Sequence, residues 1–161
     1  LARHVAADAI GGLVLLASQY EQSKRMLDWP GNLVTRGLVR LRGHLPARAV
    51  GLGPVDEPAA AAIDACDWVA RGRRSSIIRN DLAGLSCPVL AISGSADKVD
   101  PTPGCRAFVD ATQSLDTTFV EAGTAHGYAQ NYDHPGIVVS KDAQREIWPV
   151  IGDWLADRTM R

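Results

Sequence analysis

The sequence holds only three cysteines in 161 residues, Cys66, Cys87 and Cys105, with no CxxC pair. An odd number at these spacings builds no disulfide framework and no cysteine zinc site. They read as small apolar residues of a reduced compartment, which points to the cytoplasm. No run approaches the roughly 18–20 apolar residues of a membrane helix, so no membrane span is expected. The first residues lack the basic head, apolar stretch and cleavage site of a signal peptide. There is no initiator Met, and Leu-Ala-Arg-His reads as the end of a helix, so the natural protein is expected to start further upstream. Charge of one sign is also missing: 17 basic and 18 acidic residues give a formal net charge of −1. That balance argues against nucleic acid and against an anionic membrane, both of which need a basic stripe. The densest basic cluster, Arg71, Arg73 and Arg74, reads as a solvated helix end.

What is present is a respectable apolar fraction, 46%, expected to be enough for one domain with its own core and too little for two. Ile10 to Ser18 and Pro88 to Ser93 are continuous apolar runs, and Thr117 to Val120 is a shorter one. Continuous rather than alternating hydrophobicity marks strands covered on both faces, as in a parallel sheet. Helical stretches separate them. Pro103 to Ala111 reads as a helix capped by Thr102. A closing helix is expected from about Lys141 to Arg158, with Ile147, Ile151, Trp154 and Leu155 on one face. Pro149 inside it marks a kink or a second start. Trp148 and Trp154 read as packing residues.

Between the first two strands, residues 19–84 are far more than the minimal 10–12 of a crossover. Asn32 to Arg42 reads as a helix with Leu33, Gly37, Leu38 and Leu41 on its apolar face. Asp56-Glu57-Pro58 looks like the start of a second helix that runs through Ala59, Ile63, Cys66 and Ala70 to near Gly72. An inserted helical cap is the economical explanation. The expected organisation is residues 1–18 as the end of a core helix plus a core strand, 19–84 as the cap, and 85–161 as the C-terminal core.

Alternating strands and helices imply a doubly wound α/β sheet, in which chemistry sits beyond the carboxyl ends of the strands. The second strand ends there in Ser93-Gly94-Ser95-Ala96-Asp97. Asp97 either caps its turn or stands as a carboxylate at the working edge, while Asp100 before Pro101 reads as a turn or cap residue. Two histidines, His126 and His134, lie between the third strand and the final helix. Either could act as a general base whose other ring nitrogen is held by a carboxylate. His4 and His44 read as surface residues. No metal or organic cofactor is implied.

Pro88 to Asp97 resembles the strand-plus-acid segment of α/β-hydrolases, where the triad runs nucleophile, acid, histidine along the chain. His134 to Leu155 is similar to the histidine and last helix of polyhydroxyalkanoate synthases and related bacterial serine hydrolases. His134, Gly136, Ile137, Val138, Val139, Ala143, Trp154 and Leu155 fit that arrangement. The resemblance implies the C-terminal part of an α/β-hydrolase fold: a mostly parallel sheet flanked by helices, with a helical cap insertion. It places the acid at Asp97 and the histidine at His134. His126 remains an alternative, because Ala-His-Gly soon after the strand also resembles the broader family. The cap would line an acyl pocket through Trp29, Leu38, Leu41 or Trp68, unless these are simple packing residues.

The family's nucleophile elbow, G-x-S-x-G, occurs nowhere in the 161 residues. Ser93 and Ser95 belong to the acid strand, and Ser18 lacks small neighbours for a sharp turn. The expectation is a serine hydrolase acting on an acyl ester or thioester, with its serine and the first strands outside this chain. That half of the fold would be supplied upstream or by another chain, and these residues alone would be inactive. A cysteine at the elbow would make the protein an acyltransferase or synthase instead. A non-catalytic binding domain of the same fold is the third reading.

Overall fold

The computed structural model describes residues 10–20, 27, 29–50, 55–74 and 77–159. The expected N-terminal helix end and His4 lie outside them, as do the side chains of Arg71, Arg73 and Arg74. In chain order the elements are β1 (Leu13–Leu16), α1 (Gly31–Arg42), β2 (His44–Leu45), β3 (Glu57–Pro58), α2 (Ala59–Arg74), α3 (Ile77–Leu82) and β4 (Val89–Gly94). They continue with α4 (Thr102–Asp110), β5 (Thr117–Ala122), a 3-10 turn (Thr124–His126), α5 (Gly136–Val139), α6 (Lys141–Glu146) and α7 (Trp148–Thr159). The chain divides into two compact units, Tyr20–Ile78 and the residues on either side of it. Among the described residues no helix is long and apolar enough to cross a membrane.

The flanking unit is built on a parallel sheet in the order β1-β4-β5, with Leu13 opposite Val89 and Ile92 opposite Val120. All six residues of the central strand β4 are buried. Leu90 and Ile92 turn to one face and pack with Tyr132, Ile137, Ile147 and Trp154. Val89 and Ala91 turn to the other, against Val109, Leu13, Leu15 and Phe119. Alternate side chains point to opposite faces, so a strand covered twice reads as an unbroken apolar run. Burying a Leu or Ile fully contributes about 1.5–3 kcal/mol, which makes β4 the anchor of this unit.

The closing helical segment is broken at Ile147 into α6 and α7, and Pro149 sits in the first turn of α7, where an N–H has no partner to lose. Trp154 is in the core, above Gly12, where a Cβ would stand 2.8 Å from its ring. Trp148 is half exposed and donates its indole N–H to the Val138 carbonyl. Leu155 is exposed.

In the unit Tyr20–Ile78, Val39 of α1, Leu45 of β2 and Ala62 of α2 pack into one cluster, and Arg36 pairs with Asp67. Gly43, at φ 74°, closes α1 in the left-handed conformation. Two expectations fail here. The buried face of α1 is Asn32, Thr35 and Val39, whereas Leu33, Leu38 and Leu41 are exposed. Both faces are helically spaced, and Val39 fits between Leu45 and Ala62. Glu57 and Pro58 do not open α2; they pair antiparallel with Leu45 and His44, and the helix starts at Ala59. Asp56 instead accepts a hydrogen bond from the Arg48 backbone N–H.

Candidate active site

The chain leaves β4 at its carboxyl end and turns at once, with Asp97 N–H bonded to Gly94 O at 3.0 Å. The Asp97 side chain is 0% exposed. A carboxylate buried to that degree needs partners for its charge. Its Oδ1 accepts from Val99 N at 2.7 Å and Asp100 N at 2.8 Å, and its Oδ2 meets His134 Nδ1 at 2.9 Å. Asp97 therefore caps its own turn and faces a histidine, so the two uses weighed for it coexist. Charge-assisted bonds of this kind are the strong ones. An ionised carboxylate only accepts, so His134 donates from Nδ1 and presents Nε2 as the acceptor. The His134 side chain is 38% exposed, and among the described residues nothing hydrogen-bonds to its Nε2.

His126 is placed differently. It ends the 3-10 turn, 51% exposed, with Nε2 3.7 Å from Glu121 Oε2. The structure brings His134 to Asp97 and does not bring His126 there.

Asp100 is not the cap of α4, whose capping residue is Pro101 with no side-chain bond. Its Oδ1 accepts from Gln19 Nε2 at 3.0 Å, and its Oδ2 lies 3.7 Å from His134 Nδ1. A second carboxylate thus flanks the imidazole. Beneath it the Cys105 thiol donates to the Asp100 carbonyl. Burial first, then Asp100 and Asp97, push that thiol up to about 11, which keeps it protonated and unsuited to attack. The nearby hydroxyls are already engaged: Ser93 with Thr102, Ser95 with Asn131, and Ser18 with the Leu16 carbonyl. Among the described residues no group of three or more His, Cys, Asp or Glu side chains is placed to hold a metal ion.

The loop carrying His134 is tied down on three sides, by residues that sequence reading passed over. Asn131 Oδ1 accepts from Thr124 N at 2.9 Å, Ser95 Oγ at 3.0 Å and Thr124 Oγ1 at 3.1 Å. Tyr132 is buried; its carbonyl accepts from Ala96 N at 3.0 Å and its hydroxyl donates to Glu146 at 2.7 Å. Glu146 also takes the Ala129 N–H at 3.1 Å. Burial, and then the bond to Glu146, push the Tyr132 phenol up to about 12, so it stays a donor. Asp133 Oδ1 accepts the N–H of Gly136, the first residue of α5. Gly94 lets the Tyr132 backbone pass against the strand: a Cβ there would collide with the Tyr132 carbonyl. The one available signal was that glycine, since glycine inside a strand pattern marks close backbone approach. Tyr132→Phe is expected to cost about 1–2 kcal/mol in urea unfolding, because it removes the phenol bond to Glu146.

No family model matches the chain. A stretch of 79 residues is 33% identical to the poly(3-hydroxyalkanoate) polymerase subunit PhaC of Haloferax mediterranei, covering 49% of this chain and 14% of that protein. A stretch of 78 residues is 40% identical to the same subunit of Allochromatium vinosum, covering 48% of this chain and 20% of that protein. Among solved structures, the monoacylglycerol lipase of Paleococcus ferrophilus superposes with a TM-score of 0.58 at 17% identity, over 94% of this chain and 60% of the lipase. A thermophilic esterase from Thermogutta terrifontis gives 0.53 at 16% identity, over 94% of this chain and 57% of the esterase. Mouse α/β-hydrolase domain-containing protein 10 gives 0.52 at 17%, over 92% and 52%. The chain thus spans less than two thirds of each of these proteins.

Proposed function

On the premise that this chain carries part of an α/β-hydrolase fold, we propose that Asp97 and His134 are the acid and base of a triad that hydrolyses a carboxylic ester or thioester. The observation that carries the reading is the 2.9 Å contact of a fully buried Asp97 with a half-exposed His134. His134 Nε2 takes the proton of an attacking hydroxyl as it adds to the acyl carbonyl, and Asp97 stabilises the imidazolium. The same proton passes to the leaving alcohol or thiol, and water repeats the sequence on the acyl-enzyme. The nucleophile and the oxyanion donors come from outside these 161 residues, because the G-x-S-x-G elbow is not among them. We read Tyr20–Ile78, inserted between β1 and β4, as the cap.

One observation favours a second reading. The identity to polymerase subunits, 33% and 40% over about half of this chain, suits acyl transfer from a cysteine nucleophile. A non-catalytic binding domain would leave Asp97 and His134 free to drift apart, which three bonds on one buried carboxylate do not favour.

Labelling decides between the first two. On protein carrying the elbow, a fluorophosphonate probe marks a serine and iodoacetamide marks a cysteine. Asp97→Asn is expected to slow fluorophosphonate labelling and ester turnover by roughly 10³–10⁴. Undiminished turnover in that variant, or turnover by residues 1–161 alone, would remove the proposal.

A further inference from the structure

Helix α1 is turned inside out for a water-facing helix. It buries Asn32 and Thr35 beside Val39, and leaves Leu33, Val34, Leu38 and Leu41 exposed, Leu41 to 86%. At about 100° per residue those four fall within an arc of about 140°. Arg40 and Arg42, both exposed, lie just beyond its two edges. Trp29, immediately ahead of the helix, is 72% exposed. From Trp29 to Val55 the chain holds four arginines and no acidic residue, and among the described residues only Arg36 is neutralised by a carboxylate across the helix pair, that of Asp67. The overall charge of −1 hides this local imbalance.

An apolar stripe edged by arginines, with a tryptophan at one end, is the pattern of a helix lying in a lipid interface. We propose that the exposed face of α1 docks on an anionic lipid surface, reversing the expectation drawn from net charge. A second copy of the chain is a poor occupant of this face. Self-pairing would bring the exposed Arg40 and Arg42 of both copies into one interface, with no acid in residues 29–55 to offset them. Lipid satisfies both parts at once, the acyl boundary taking the leucines and the headgroup phosphates taking the guanidinium groups.

Docking needs no turnover, so its test stands apart from the proposed reaction. In co-sedimentation at low salt, the 161-residue chain is expected to partition at least about tenfold better onto vesicles of phosphatidylcholine with 30% phosphatidylglycerol than onto phosphatidylcholine alone. Two interfacial arginines together are worth roughly thirtyfold on an anionic surface. The preference should shrink at 0.5 M NaCl. Arg40→Ser/Arg42→Ser should lose the anionic preference, and Leu38→Ser/Leu41→Ser should lose binding to both vesicles while keeping the wild-type circular dichroism. Binding should shift tryptophan emission to the blue, an effect reduced in Trp29→Phe. Vesicle binding unchanged in the four replacements would overturn the proposal. So would no binding at all, or a concentration-dependent dimer that Leu38→Ser/Leu41→Ser dissolves.

Discussion

Replacing His134 with alanine is expected to lower kcat/KM for acyl ester hydrolysis by about 10³–10⁵, while the same change at His126 stays within roughly threefold. The difference follows from what each ring faces. His134 presents Nε2 outward because Nδ1 is committed to Asp97 at 2.9 Å, and Asp97 is held by two backbone N–H groups that do not depend on the histidine. Removing the ring takes away the proton acceptor and leaves a buried carboxylate with one partner fewer. Loss of a triad member commonly leaves only the binding and oxyanion contributions. His126 is exposed beside Glu121 at 3.7 Å, a surface pairing worth about 0–1 kcal/mol. The measurement is steady-state hydrolysis of an activated acyl ester by protein carrying the nucleophile. Equal losses at the two positions, or a larger one at His126, would reassign the base.

The second large effect is expected at Gly94. Alanine there should destabilise the protein by about 2–4 kcal/mol in urea unfolding, since overpacking that cannot relax is among the costlier changes. The added Cβ would meet the Tyr132 carbonyl and stand 2.9 Å from its carbon. That backbone cannot step aside cheaply, because its carbonyl already holds the Ala96 N–H and its N–H reaches the Ala122 carbonyl. Glycine in the middle of α1 gives the opposite sign. A Cβ on Gly37 meets nothing within 4 Å, so Gly37→Ala should gain about 0.5–1 kcal/mol from helix propensity. Equal effects at the two glycines would show that close approach at Gly94 is not what the strand requires.

These positions also mark how far the sequence could be read. The run from Pro88 to Ser93 is legible because a strand covered on both faces must be apolar throughout, and β4 occupies Val89–Gly94. Pro149 is legible as a kink or a second helix start because a helix tolerates proline only in its first turn, and α7 starts at Trp148. Asp97 is legible as a strand-end acid. The burial of α1 was not: Leu33, Leu38 and Leu41 satisfy helical spacing as well as Asn32, Thr35 and Val39 do, and only the packing against Leu45 and Ala62 separates them. The short β2–β3 pair escaped notice because Asp56-Glu57-Pro58 is also a good helix start. Residue type and position leave both histidines of that segment open, the family resemblance alone favours His134, and the fold puts His134 beside Asp97. What places it there is Tyr132 and Asn131, whose partners Glu146, Ser95 and Ala96 are distant in sequence.

The bonds that hold the histidine loop have a consequence for how the site fails. Ala96 N–H is bound to the Tyr132 carbonyl and Ser95 N–H to the Ala122 carbonyl, so the turn of the acid and the loop of the base share their hydrogen bonds. Opening the loop at Tyr132 breaks a bond of the acid's turn. Amide exchange at Ser95, Ala96 and Tyr132 then reports a single opening event, in the sense of one cooperative unit. On heating, acid and base are therefore expected to leave together, seen as coincident loss of amide protection in the two segments.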